Sequence, residues 1–295
     1  MSRPDRASAG GVAKAGRDRT ARVRGLIHRL AYYGILVATA LVMTLPLLWM
    51  VSTSLKADQH VLTMPPQFFP RPLVIDSYAR LLELFPIARM FCNSLFVATV
   101  TMLGQLLTSS MAAYAFARMR FRGSNGVFLF YLATLMIPFQ VTITPLFILM
   151  RFFGWIDTYQ GLILPGIFSA FGTFLMRQYF LSIPRELEEA AFMDGASHWT
   201  VYWRIVLPLA RPALGTLAVF AFMQSWNAFL WPLFIVRHPE MMTLPVGLAT
   251  LHGRWLTQWN LVMAGSVITV IPMIVVFILA QRHFVRGIVL SGLKG

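Results

Sequence analysis

Side chains able to do chemistry are few in this chain and, with one exception, far apart. The six histidines (His28, His60, His198, His238, His252 and His283) share no metal-ligand spacing. The single cysteine, Cys92, lies in an apolar run and leaves no intrachain disulfide to form. None of the three lysines, Lys14, Lys56 and Lys294, follows a GxxxxG, so the chain has no phosphate-cradling loop for ATP. Asp58, Asp76, Glu83, Asp157 and Glu240 are spread over more than 180 residues and form no catalytic cluster. No enzyme chemistry, metal or cofactor is therefore expected in this chain. The exception is a run of four acids, Glu186, Glu188, Glu189 and Asp194, within the segment SIPRELEEAAFMDGASHWTVYWRIVLPLARPAL that begins at Ser182.

The elements around that run must be membrane helices. Of 295 residues, 57% are hydrophobic and 12% charged, about half the charge of a typical soluble domain. Six stretches free of Asp, Glu, Lys and Arg are long enough to cross: residues 30–51, 91–117, 123–150, 158–176, 212–236 and 255–281. A hydrocarbon core of roughly 30 Å needs about 20 helical residues, and lipid tolerates no open backbone. The expected fold is all-α and polytopic, with six transmembrane helices. The fourth stretch is the shortest and carries Gly161, Pro165, Gly166 and Gly172. The first has a 22-residue apolar run and no small-residue cleavage site, so it reads as an anchor rather than a signal peptide.

The net charge of +14 divides unevenly. Eighteen lysines and arginines fall on the side holding both termini and the loops after spans two and four; seven fall on the other. The positive-inside rule makes the richer side cytoplasmic. The basic charge comes with no nucleic-acid motif, so a nucleic-acid partner is not expected. Residues 1–28 read as a basic, disordered cytoplasmic tail, and 29–295 as the membrane domain. The proline-rich segment MPPQFFPRP, residues 64–72, should run extended on the outer side.

The acidic segment reads as a cytoplasmic helix–Gly–helix. A helix is predicted to begin at Ser182 or Ile183 with Pro184 in its first turn, where a missing N–H costs nothing. Its glutamates sit at the positive end of the helix dipole. Leu187, Ala190, Ala191 and Met193 recur at helical spacing as a small apolar face. Gly195 should end the helix. Ser197 should cap a second one, stopping before Pro208. Small alanines permit close approach by another protein. An amphipathic hairpin lying on lipid is the alternative, and three glutamates beside anionic headgroups oppose it.

EAAFMDGA, followed nine residues later by IVLPLARP, resembles the EAA loop of permeases in bacterial ABC importers. The match rests on Glu189, Ala190, Ala191, Asp194, Gly195, Ile205, Leu207 and Pro208, within a loop spanning residues 182–212. NSLFVATV from Asn93, AAYAFARMRFRG from Ala112, TLMIPFQVTITPLF from Thr134, WNAFLWPL from Trp226, TLPVGL from Thr243 and FVRGIVLSGLKG from Phe284 resemble the carbohydrate branch, most closely its smaller, maltose-transporter-type permease. The resemblance implies a type I importer (MetI-like) fold and a coupling helix that docks on a separate ATPase dimer, which binds ATP and Mg. It also implies a second permease, an external solute-binding protein and a sugar or oligosaccharide as cargo; sugar alcohols and glycerol phosphates are handled by the same branch. The setting implied is the bacterial or archaeal cytoplasmic membrane. One departure stands out: the branch usually has an acid after Trp-Asn in span five, and this chain has Ala228.

Gln140, Gln224 and Asn227 lie inside spans, with Trp226 beside the last. Amides and an aromatic face suit a sugar path; the same groups also serve as interhelical glue. Pro138, Pro145 and Pro232 are expected to kink spans three and five. A secondary transporter would place ionisable groups within its spans, and all six spans lack acids, lysines and arginines.

Overall fold

A computed structural model describes the backbone of residues 8–251 and 258–291, and the side chains of residues 26, 28–251 and 258–280. All regular elements among these residues are helical. Helix α1, Ser8–Ser54, crosses with its 28–54 portion. It also runs back through most of the tail expected to be disordered. Alanine and arginine favour helix, and extending an existing helix needs no new nucleus. Residues 64–72 contain no helix, as expected. A short helix, α2 (Asp76–Leu84), leads into α3 (Ile87–Arg118), which spans in one piece.

The third expected span is not continuous. Residues 124–136, which begin with α4 (Ser124–Ala133), meet α5 (Phe139–Phe152) at 100°. The break falls at Ile137–Pro138, where Ile137 is extended, as a residue before proline must be. Pro145 stays within α5 without breaking it. The fourth span is bent by 43° between residues 159–166, which begin with α6 (Tyr159–Ile163), and α7 (Ala170–Ser182). It runs six residues past its expected end at 176, because Arg177 finds a carbonyl and an aromatic ring to hold its charge.

Two short helices, α8 (Glu186–Met193) and α9 (His198–Val201), build the acidic loop. A π-helical stretch, Tyr202–Val206, and α10 (Leu207–Leu209) lead on to α11 (Arg211–Trp226). The turn between 198–209 and α11 is 79°. The fifth span is then interrupted at 227–229 before α12 (Leu230–Ile235), whose first turn holds Pro232. Helix α13 (Leu244–Ala249) precedes α14 (Trp259–Ser291), which crosses with its 259–280 portion. Counted by length and composition among the described residues, three helices cross alone, and up to six do if each bent pair is one span; the third pair joins 198–209 of the acidic loop to α11 rather than α11 to α12.

The central element is α3, which packs on α7 and α11. Its buried face mixes apolar residues with a stripe of polar, mostly small ones: Asn93, Ser94, Thr101, Gln105, Ser109 and Ser110. Such residues let helix backbones approach closely in lipid. At Gly172 of α7, a Cβ would lie 2.5 Å from the Ser109 hydroxyl and 3.1 Å from a Leu217 methyl, so any larger residue would make α3 and α11 side chains shift. The same stripe repairs span four at its bend, where backbone groups lose their helical partners. Gln105 donates to the Gly166 carbonyl at 2.7 Å and Thr108 to the Ile167 carbonyl at 2.6 Å. Ser169 then caps α7 by accepting from the Gly172 N–H at 3.0 Å.

Candidate docking loop and solute path

The acidic loop sits on the arginine-rich end of the bundle. Ile183 is extended before Pro184, so α7 stops at Ser182 and α8 starts at Glu186. This corrects the expected helix start: Pro184 lies in the break, not in a first turn. All three glutamates fall in the first turn of α8. The helix ends as expected at Gly195, with φ of +80°. Ala196 N–H reaches the Ala191 carbonyl at 2.9 Å and Gly195 N–H the Phe192 carbonyl at 3.0 Å, the paired bonds of a Schellman ending. Ser197 caps α9, accepting from the Thr200 N–H at 3.2 Å.

The second helix does not stop before Pro208. Its ladder widens through Tyr202–Val206, with Leu207 N–H bonded to the Tyr202 carbonyl. Pro208 then sits at the start of the following turn, where no donor is required.

The structure sorts the motif residues into two sets. Ala191, Ile205 and Leu207 pack inward, half-buried against a core of Tyr114, Met176, Phe180, Tyr202 and Val206. Pro208 is half-buried as well. Glu189, Ala190, Asp194 and Gly195 face outward. Leu187 and Met193 are exposed beside them, Met193 by 88%. Trp199 and Trp203, in edge contact 5.6 Å apart, extend this apolar surface.

Glu188 is the exception among the acids, and its role does not follow from the motif. Its side chain is 7% exposed and pairs with Arg118, itself 3% exposed, at 2.9 Å. The two atoms are not aligned for a hydrogen bond, so the contact is ionic. Burial lifts the Glu188 carboxyl above its ordinary value; the positive charges of Arg118, Arg185 and His198 pull the other way without overcoming it. Arg118 also donates to the carbonyls of Phe180 and, at 2.7 Å, Ile183. One guanidinium at the end of α3 thus holds the end of α7 and the docking helix together. Tyr202 and Ser110, 2.8 Å apart, and a Phe192–His198 ring contact seat the rest. The signal available in the sequence was an arginine closing a 32-residue helix opposite a second glutamate; nothing in the spacing pairs them.

The path candidates separate. Trp226 is buried at 1%, stacked on Phe222 and edged by Phe91, with its indole N–H on the Thr269 carbonyl at 3.1 Å. It is core, and no face is left for a sugar. Gln140, Gln224 and Asn227 are exposed, and among the described residues none of the three amides has a hydrogen-bond partner. Gln140 follows the break at Pro138, and Asn227 opens the break in span five. They are not glue within this chain. Ala228 is half-buried in the same break.

At the opposite end, buried Asn93 and Ser94, which open the NSLFVATV segment, hold the loop that leads into TLPVGL. Asn93 donates to the carbonyls of Glu240 and Met242 at 2.9 and 3.0 Å and accepts from the Tyr159 hydroxyl at 2.7 Å. Ser94 accepts from the Leu244 N–H at 2.7 Å. Among the described residues no group of His, Cys, Asp and Glu could hold a metal.

A family model described as "Binding-protein-dependent transport system inner membrane component" matches residues 105–289. The chain is 40% identical to the arabinooligosaccharides transport system permease protein AraQ of Halalkalibacterium halodurans over 77% of this chain and 82% of that one. It is 40% identical to the sn-glycerol-3-phosphate transport system permease protein UgpE of Yersinia pestis over 69% and 73%. A crystal structure of a bacterial ABC transporter that imports the acidic polysaccharide alginate contains a chain that superposes with a TM-score of 0.76, at 27% identity over 90% of this chain and 98% of that one.

Proposed function

We propose, since the chain belongs to the family of binding-protein-dependent transport system inner membrane components, that it is one permease of an ATP-driven importer for a sugar or oligosaccharide. It is a transport component and not an enzyme. Its similarity to a glycerol-phosphate permease keeps a small phosphorylated polyol as the second reading of the cargo. The observation that carries the mechanism is the docking loop: an exposed acidic and apolar surface pinned to two spanning helices by one buried ion pair.

In this reading the loop lies in the cytosol with both termini, and Glu189, Ala190, Met193 and Asp194 meet an ATPase subunit that binds ATP and Mg. ATP-driven closure of the ATPase dimer pushes α8, and the rigid seat on Arg118 passes the push to α3 and α7. A second permease faces the exposed surfaces of α5 and α11, and a solute-binding protein outside delivers the cargo. Unpaired amides in lipid are costly, so Gln140, Gln224 and Asn227 face water, solute or the second permease at the helix breaks. Broken helices at mid-membrane are tolerated where they line such a cavity.

The test is uptake and solute-stimulated ATP hydrolysis by the reconstituted complex with Glu189→Lys or Gly195→Pro in this chain. Both variants are expected to insert normally and to lose stimulation. Full stimulated activity in both would remove the docking assignment.

A further inference from the structure

We infer that a cavity beside the docking loop binds the phosphate-bearing headgroup of an anionic phospholipid. The cavity, about 640 Å³, opens where the end of α3, the start of α4 and the end of α7 meet. Arg120, Arg122, Arg177 and Arg185 line it, and no acidic residue does. Two of these are positioned by the fold. Arg177 donates its Nε–H to the Phe116 carbonyl at 3.3 Å, with its guanidinium 4.2 Å from the centre of the Phe128 ring. Arg185 reaches the Ala117 carbonyl at 3.5 Å. The ion pairs among the described residues engage other arginines (Arg80, Arg89 and Arg118), so four arginines converge on one concavity whose lining holds no acid, the nearest counter-charge felt by Arg185 being the buried Glu188 beyond it.

A topology signal needs only charge near a helix end. It needs neither a concavity nor guanidiniums held in place. Guanidiniums match phosphate geometry better than any other cation the chain could supply. The choice between a lipid and a free phosphate rests on the rim. Met119, Phe121 and Leu181 line the same cavity and are 41%, 45% and 44% exposed. A soluble anion has no use for them, whereas a lipid places its acyl chains there. In the orientation proposed above, the site lies at the inner leaflet, where anionic lipids gather.

The full-length chain, purified with its partner subunits in detergent, is titrated with dioctanoyl phosphatidylglycerol, dioctanoyl phosphatidylcholine and inorganic phosphate, with bound ligand read by native mass spectrometry. Phosphatidylglycerol is expected to bind at least ten times more tightly than phosphatidylcholine. Inorganic phosphate at matched concentration should not displace it. The exposed pair Arg120→Gln/Arg122→Gln should weaken phosphatidylglycerol by about 30-fold. Phe121→Ala, which leaves every charge in place, should weaken it several-fold. Equal binding of the two lipids, displacement by matched phosphate, or unchanged binding in both variants would each overturn the assignment. So would lipid binding that appears only once the ATPase subunits are stripped from the complex, which would mean that a protein surface fills the cavity.

Discussion

Replacing Arg118 with methionine should cost the docking loop far more than neutralising its partner. The pair is almost wholly removed from solvent, at 3% and 7% exposure. Without Arg118, Glu188 keeps its charge in a buried site with no hydrogen-bond donor on its inner oxygen. Removing one half of such a pair costs about 3–5 kcal/mol. The opposite change is gentler. In Glu188→Gln, Arg118 still donates to the Phe180 and Ile183 carbonyls, and the amide oxygen remains an acceptor, so about 1–1.5 kcal/mol is at stake. If the cost falls on undocking of α8, the open population rises roughly 150- to 5,000-fold in Arg118→Met and about tenfold in Glu188→Gln. Hydrogen exchange of peptides from residues 186–196, measured in the assembled transporter, reads this directly. The double variant Arg118→Met/Glu188→Met should recover part of the loss, since no buried charge is left unpaired, but not all of it, because the Phe180 and Ile183 carbonyls still lose their donor. Equal protection in the two single variants, or no recovery in the double, would refute the view that this pair seats the loop.

Two further predictions follow from the same geometry. Glu188 has a raised carboxyl pKa, so the stability it contributes is full below its ordinary value of 4.5 and declines as pH rises through the raised value. Exchange protection of the loop, corrected for intrinsic rates, should therefore fall in wild type as pH rises above about 4.5, and fall less in Glu188→Gln. Gln140→Leu and Asn227→Leu should leave thermal stability within about 0.5 kcal/mol, because neither amide has a partner among the described residues, yet should lower the maximal rate of solute uptake. A large loss of stability in both variants would return them to a packing role.

Much of this architecture was legible in the residues. Runs without charge located the spans, and the arginine imbalance divided the loops. Gly195 marked a helix end that the positive φ bears out, and Ser197 marked the next cap. What escaped was tertiary. Pro138 was expected to kink its span, but a break of 100° depends on how α4 and α5 pack afterwards. Pro208 was read as a stop because its missing N–H breaks a regular ladder, and a π-helical turn removes that conflict. Trp226 suited a sugar by chemistry alone; only the rings on both sides of it show that its faces are used. Glu188 was one of three similar glutamates until the fold placed Arg118 against it.

Function here depends on how α3 holds on to the parts that must move. It is an unbroken helix of 32 residues, about 48 Å long. Near one end, Arg118 and Ser110 hold the docking loop and its continuation. In the middle, Gln105 and Thr108 hold the bent backbone of span four. At the far end, Asn93 and Ser94 hold residues 240–244. Each grip is a polar side chain on a carbonyl, a carboxylate or another polar group, a kind of contact that keeps its geometry when neighbours slide. A displacement of α8 must then either break the buried pair and part the loop from its seat, or carry α3 and α7 with it. The second course is the cheaper one for a helix pair already packed through small residues. In the proposed mechanism, an ATP-driven push on α8 would thereby reach the backbone breaks and the loop at the opposite end through α3, without any bend in that helix.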